Sequence, residues 1–451
     1  MNQLTAAHEV IEIITDWGFD ALIVGGAVRD LILGHEPHDV DICTNCPLDR
    51  IESNWPSHDI GKSKDFGIVT IEHSGFNFEV ANFRTESTSS DGRRPDEVKV
   101  AETFEEDASR RDFTFNALAL DVNGNIIDLF GGRGHLETGV LVTVGVPSQR
   151  FEEDFLRIIR AVRFSARLGL HIECETEKAM MNGVRNLPKL SAERIKDELF
   201  KMASMGGKKF AHSIETMNAL GILDIILPEV AALKNFNESP EWHPEAWAFG
   251  TGTTFDHVMQ ALRRSQSNDA LTNMAILLHD VGKGVTHNFD EERQKHTFHG
   301  HDMAAVPLVN RIAKRLKFAT DERDAILFAC TKHMQMGNKE MRATKITALV
   351  TDANWELLKH VSFADNSAML EIFNKDRFDE NIKFFEDTAA KWSTDNKPMK
   401  IVDGNMVMEM FSLKPSKAVG DIIRRVTELV VDEGRTDPIE ALIREVWNVM
   451  N

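Results

Sequence analysis

Asp39 and Asp41, two residues apart, are the side chains of this 451-residue sequence best suited to metal-assisted chemistry. Side chains at i and i+2 of a β-strand leave the same face, so both carboxylates would enter one pocket. Such a pair can hold two magnesium ions, the clamp used for in-line displacement at a phosphoryl group. A D-x-D pair alone describes a solvated strand edge equally well. What strengthens it is Gly25-Gly26-Ala27-Val28-Arg29-Asp30 just upstream. A strand entering two glycines and leaving as a helix turns backbone N–H groups and a helix dipole toward an anion, and Arg29 adds a charge-assisted contact. This pattern predicts a triphosphate cradle. Glu79, on a following hairpin, is a candidate third carboxylate or an exposed strand residue.

Two further constellations stand out. Asp154 and Arg157 are spaced i, i+3 on a helix predicted over Phe151–Leu168, so they face the same way. A carboxylate accepts from an exocyclic amine and a guanidinium donates to a ring acceptor. Cytosine and adenine present an amine beside an unprotonated ring nitrogen, whereas uracil and guanine present a carbonyl beside N–H. One Asp/Arg pair could therefore accept C and A and reject U and G without a template, since a mispair leaves polar groups unsatisfied. The ordinary alternative is a surface salt bridge. Arg160 and Arg163 continue this face and suit phosphates. The other constellation is rich in histidine: residues 243–360 hold 9 of the 17 histidines. An apolar helix ends in His279-Asp280; His257 precedes it, and His299, His301, His333 and Asp365 follow. Imidazole and carboxylate ligands drawn from several helices suit Mg, Mn, Ni or Fe with positions left open for water.

The elements that must position these residues are readable from periodicity. Val10, Ile11, Ile13, Ile14 and Trp17 have helical spacing over 8–17, closed by Gly18. Ala21–Val24 is a short apolar strand, Val28–Leu33 a helix stopped by Gly34, and Val40 and Ile42 alternate with the two aspartates. Ile68–Ile71 and Phe76–Phe83 flank Ser74-Gly75 as a hairpin. Strand signals fade after Gly131-Gly132, and Ser191–Met202 is a helix with Ser191 as N-cap. Helix breaks are expected at Pro228, 237–253, 284–300 and 392–404. The fold class expected is an α+β head with a small mixed or antiparallel sheet, then all-α regions. Boundaries fall at 1–135, 136–240, 241–392 and 393–451.

Composition narrows the function classes. Hydrophobic residues make up 42% and charged residues 27%, an ordinary soluble globular balance. No apolar run approaches the ~18 residues that cross a bilayer. The N-terminus lacks a basic start, and Glu9 and Glu12 interrupt its apolar stretch, so no signal peptide is expected. Cys43, Cys46, Cys174 and Cys330 are too few and scattered for a disulfide framework, which fits a cytoplasmic location, and the lone C-x-x-C lacks the second pair of a zinc site. A net charge of −19 argues against a nucleic-acid footprint along the whole chain. Arg150–Phe210, however, carries 13 Lys and Arg against 9 Asp and Glu, so a polyanion could bind along that segment.

Gly25–Asp30 together with Asp39-Val40-Asp41 resembles the opening motif of class II tRNA nucleotidyltransferases, the CCA-adding enzymes of the polymerase β superfamily. Arg110-Arg111-Asp112-Phe113-Thr114-Phe115-Asn116-Ala117 is similar to their second motif and Asp128-Leu129-Phe130-Gly131-Gly132 to the third. Glu153-Asp154-Phe155-Leu156-Arg157 matches the fourth and Ser191-Ala192-Glu193-Arg194 resembles the fifth. The five lie in order over residues 22–200. The resemblance implies that Asp39 and Asp41 hold Mg2+ and that Gly25, Gly26, Arg29, Arg111, Asp112, Asn116, Asp154, Arg157, Arg160 and Arg163 bind the nucleotide. Ser89–Pro95 looks like the flexible loop used in switching from C to A addition. Trp242-His243-Pro244-Glu245, His279-Asp280 and Phe298-His299-Gly300-His301 look like the HD-bearing bacterial members. This implies a phosphohydrolase acting on 2′,3′-cyclic and phosphorylated ends. The ligands would be His257, His279, Asp280 and Asp365, on a divalent transition metal or Mg2+, with His299, His301 and His333 on the substrate side.

The function so implied is addition of CCA to tRNA from CTP and ATP, with no membrane partner and a monomer or homodimer both open. Bacterial poly(A) polymerases share several of these motifs and are one alternative, as is partial, A-only or CC-only addition. Another is an HD nucleotide hydrolase with a silent head. Residues 402–420 resemble a tail module of some class II enzymes.

Overall fold

The computed structural model describes residues 2–37, 39–58, 67–86 and 98–450. The loop Ser89–Pro95 lies outside the described residues. Contacts divide the chain into two compact units: Met1–Met205 with Lys209–Ala231 and Arg315–Lys317, and Gly206–Lys208 with Ala232–Lys314 and Phe318–Asn451.

The first unit is built on a mixed sheet. Its strands are β1 (Ala21–Val24), β2 (Asp41–Thr44), β3 (Ser57–His58), β4 (Ile68–His73) and β5 (Phe76–Asn82). A separate ladder pairs β6 (Arg84–Glu86) with β7 (Val98–Val100), and β8 (Leu118–Leu120) and β9 (Ile126–Asp128) return to the main sheet. The order is β3-β4-β5-β2-β1-β8-β9, with β2 and β5 parallel and the other neighbours antiparallel. Every residue of β1 is buried, as its unbroken apolar run requires. The helix Gln3–Asp16 buries Ala6, Ala7, Val10, Ile11 and Ile14 at helical spacing. Register places Val24 opposite Asp41 and Ile42 opposite Val80, so the ends of three strands converge where the aspartates lie.

Two departures from the sequence reading bear on the site. Asp39 stands in a bend before β2, which begins only at Asp41. The helix expected over Phe151–Leu168 is two helices, Pro147–Glu153 and Leu156–Leu168, interrupted at Asp154, whose φ is −153°. Asp154 Oδ1 accepts from Leu156 N at 3.0 Å, the habit of a residue that starts a helix rather than continues one.

Helices predominate beyond the head, with short ladders at 288–290/295–297 and 393–394/397–398 inside two of the expected helix breaks and another at 140–141/171–172 outside them. The final helices Gly404–Phe411, Lys417–Val431 and Ile439–Met450 close a core of their own around Val407, Ile422, Val426, Leu442 and Ile443. No helix among the described residues is long and apolar enough to cross a membrane.

Candidate active sites

A cavity of about 780 Å³ opens where β1, β2 and β5 meet the helix Leu156–Leu168. Gly25, Gly26, Arg29, Asp39, Asp41, Arg111, Asp112, Asn116, Asp154, Arg157, Arg160 and Arg163 all line it, as does Glu79. Every residue that the sequence assigned to Mg2+ or the nucleotide therefore lines one space. Gly25 has φ +69°, and a Cβ there would sit 3.2 Å from Arg111 Nη1, so both backbone and space call for glycine. The enclosing walls, and then the neighbouring Glu79, push the Asp41 carboxyl above its usual range; Arg111 opposes and Asp39 adds to the push. Asp39, Asp41 and Glu79 line this cavity with hard oxygen donors, the kind Mg2+ takes.

The arginines of the cavity are already paired. Arg29 is nearly fully buried and donates to Asp30 at 2.9 Å and to Asn116 Oδ1 at 2.9 Å. Arg111 donates to Asp107 Oδ2 at 2.9 and 3.1 Å, and Arg110 to Asp107 Oδ1 at 2.6 Å. Burial alone would raise Asp107, but Arg111 and Arg110 outweigh it and hold the carboxyl below its ordinary value. Arg160 meets Asp112 Oδ2 at 2.6 and 2.8 Å, and Asp112 is likewise held low against its burial. Arg163 Nε meets Glu198 at 2.6 Å. The ring of Phe164 lies under Arg29, Arg160 and Arg163, with centroid distances of 5.6, 5.4 and 4.3 Å. Carboxylates behind and aromatic carbon below fix these guanidinium groups before any ligand arrives.

Asp154 and Arg157 share the cavity wall, and each is held by other groups rather than by the other member of the pair. Asp154 takes a two-pronged contact from Arg194, at 2.6 and 3.2 Å. Arg157 donates to Glu153 at 2.6 Å and to the Arg150 and Arg110 carbonyls at 3.0 and 2.9 Å. The third motif acts one layer back. Asp128 accepts from the Gly132 and Arg133 amides, and Gly132 packs so close that a Cβ would lie 2.2 Å from the Thr114 carbonyl.

In the second unit His257, His279, Asp280 and Asp365 converge from separate elements. His257 lies on the helix Thr254–Arg264, His279 and Asp280 follow the buried helix Ala270–Leu278, and Asp365 is on Trp355–Ala368. His257 Nε2 is 3.1 Å from Asp365 and 3.6 Å from Asp280; His279 Nε2 is 3.2 Å from Asp280. The outward nitrogens are tied down: His257 Nδ1 to Glu245 at 2.7 Å and His279 Nδ1 to the Ile276 carbonyl at 2.7 Å. Both inward Nε2 atoms are buried, and among the described residues neither has a hydrogen-bond partner. Imidazoles oriented from behind and facing carboxylates are the donor set of a transition metal. Burial would depress both histidines, yet the surrounding carboxylates, Asp365 with Glu245 and Asp280 with Asp365, raise His257 to about 9 and His279 to about 10. His301 and His333 lie beside Asp280, and His299 lines the adjoining cavity of about 570 Å³ with Trp242, Phe298 and Met334.

The model of the poly A polymerase head domain matches residues 21–142, that of the probable RNA and SrmB-binding site of polymerase A matches 169–234, and the HD domain matches 210–370. The CCA-adding enzyme of Lactiplantibacillus plantarum is 34% identical over 334 residues, 72% of this chain and 81% of that one. The chain belongs to the CCA-adding enzymes. It is thus a nucleotidyltransferase rather than a hydrolase with a borrowed head. The CCA-adding enzyme of Lactobacillus johnsonii is 45% identical over 211 residues, 47% of this chain and 52% of that relative. The fold agrees with that of the Bacillus stearothermophilus CCA-adding enzyme in complex with CTP, at TM-score 0.71 and 24% identity over 100% of this chain and 99% of that one.

Sequence reasoning missed five supporting side chains. Arg194 ends the fifth motif and Glu245 ends Trp-His-Pro-Glu, so each stands in a motif without a role of its own, and Lys283 comes three residues after the His-Asp pair. Asp107 and Glu198 had no signal: a buried acid on a polar helix looks like any other charge until its arginine is located.

Proposed function

We propose that the head cavity carries out CCA addition at the tRNA 3′ end and that the histidine–aspartate centre removes phosphate from 3′ ends that cannot be extended. The observation that carries the first part is the convergence, in one cavity, of the acidic cluster, the braced arginines and the Asp154/Arg157 pair. The solved relatives include the Bacillus stearothermophilus enzyme with CTP and the Thermotoga maritima enzyme with a tRNA. A bond forms between the tRNA 3′-oxygen and the α-phosphorus, the bond to the β-phosphate oxygen breaks, and pyrophosphate leaves. Arg29, Arg111, Arg160 and Arg163 face the phosphates, and Asp154 and Arg157 read the base edge. Asp39 and Asp41 would hold Mg2+, which when bound neutralises charge on the reacting phosphates. A cytoplasmic setting belongs to this reading, as do CTP, ATP and tRNA as partners.

In the second unit His257, His279, Asp280 and Asp365 would hold the metal, whose chemistry is to polarise a phosphoester and acidify water. Lys283, 2.9 Å from Asp280 and 2.8 Å from Glu238, balances the buried negative charge. The experiment is incubation with labelled CTP and ATP of tRNAs ending before C, before CC and before CCA, together with a 2′,3′-cyclic phosphate substrate. The expected result is CMP twice, AMP once, opening of the cyclic phosphate to a monoester by one water, and release of inorganic phosphate by a second. Incorporation of AMP alone, in long runs, would overturn the head assignment. An untouched cyclic phosphate with every divalent metal would overturn the second.

A further inference from the structure

Trp242 lines the cavity of about 570 Å³ in the second unit, yet 59% of it stays open to solvent. Met334 lines the same space and is 63% exposed, and half-buried Phe298 adds a third apolar side chain. A single exposed aromatic on a convex surface needs no explanation. An indole left wet on the wall of a cavity forgoes the burial that makes large aromatic side chains worth having. The nearby Trp247 shows the usual arrangement, donating its Nε1–H to the Glu238 carbonyl at 3.0 Å. Among the described residues the Trp242 ring has no hydrogen-bond, stacking or cation partner.

The chain fixes the indole in that position. Ser239-Pro240-Glu241-Trp242 is a four-residue turn closed by Trp242 N, which donates to the Ser239 carbonyl at 3.0 Å; the His243 amide donates to the same oxygen at 3.0 Å. Pro240 holds the second place of the turn, where its restricted φ is already correct. Two bonds fasten the turn to the strand Lys295–Thr297. Ser239 Oγ donates to the His296 carbonyl at 3.2 Å, and Lys295 pairs with Glu241. The exposure of Trp242 is therefore that of a braced turn, which spares a ligand the cost of ordering it.

We propose that Trp242 is a base platform: its indole stacks on the base of the terminal nucleoside while the phosphate of that nucleoside reaches the histidine–aspartate centre. Every base has a π-face, so stacking tolerates any sequence. That suits an activity meeting tRNAs whose last base differs with the extent of truncation. A volume of about 570 Å³ is also in the range of sites that enclose a molecule of nucleotide size. The inference rests on the proposed hydrolase reading of the second unit, so its test has two arms that fail separately.

The binding arm uses the metal-stripped full-length protein and adenosine 2′-monophosphate, with ribose 5-phosphate as the base-free control. No tryptophan lines the head cavity, and the difference between wild type and Trp242→Phe isolates the emission of Trp242. Saturable quenching by the nucleotide is expected in wild type, none in Trp242→Phe, and none with ribose 5-phosphate. Quenching that survives in Trp242→Phe, or none in wild type, would overturn the platform. The kinetic arm compares kcat/KM for adenosine 2′,3′-cyclic phosphate with that for the base-free 1-O-methylribose 2,3-cyclic phosphate. Trp242→Ala should lower this ratio by about tenfold, through KM, and Trp242→Phe should restore most of it because a phenyl ring still stacks. Equal loss on both substrates in a folded variant, or loss on neither, would also overturn the platform. If wild type opens neither cyclic phosphate, the hydrolase reading falls and the quenching arm alone decides the role of Trp242.

Discussion

Arg194 changes how base choice must be understood at the level of single residues. Asp154 is oriented across the cavity by Arg194, and Arg157 by Glu153 and two backbone carbonyls. Each member of the proposed base-reading pair is thus pinned by a third party, and the pair needs no direct contact to stay aligned. Arg157→Ala or Asp154→Ala is expected to narrow the kcat/KM preference for CTP over UTP by up to about 100-fold, the scale of one unsatisfied buried polar group. Equal preference in wild type and variant would remove the base-reading role. Asp107 offers a pH test. Its carboxyl is held below its unfolded value, so its stabilisation is complete above pH ~4 and fades as pH falls through the folded value. Asp107→Asn should cost about 3 kcal/mol at pH 7. The gap to wild type should close below pH 4, as followed by denaturant melts of the head; a gap constant with pH would show that charge is not what Asp107 contributes.

Elements decide how much of this could be read from the chain. The hairpin around Ser74-Gly75 and the β1–Gly25–helix turn were legible because apolar alternation and glycine report backbone shape directly. The break at Asp154 was not: Phe151, Phe155, Ile158, Ile159 and Val162 keep helical spacing across it, and periodicity cannot register one extended residue between two helices. The same limit applies to His301 and His333, which come to lie beside Asp280 only through tertiary packing of separate helices. Gly282 marks such a meeting, for a Cβ there would lie 1.9 Å from the His301 carbonyl oxygen. Gly282→Ala should push the His301 helix away from Asp280 and destabilise the second unit by about 3 kcal/mol, with loss of bound metal. Metal content unchanged in a folded Gly282→Ala protein would refute that coupling.

At the scale of the whole molecule the chain is two compact units, and the proposed activities fall one to each. His279→Ala should abolish hydrolysis of cyclic phosphate ends while CMP and AMP addition proceed at wild-type rates; joint loss of both activities would contradict separate centres. Net charge and composition could reveal neither unit, because a chain of −19 conceals a cavity crowded with arginine. In that cavity Arg29, Arg111, Arg157, Arg160, Arg163 and Arg194 each rest against an acid of the protein itself. An incoming triphosphate therefore competes with resident counter-charges, so ionic strength loosens old and new partnerships alike. The salt sensitivity of nucleotide affinity should accordingly be far shallower than six unscreened cations would give.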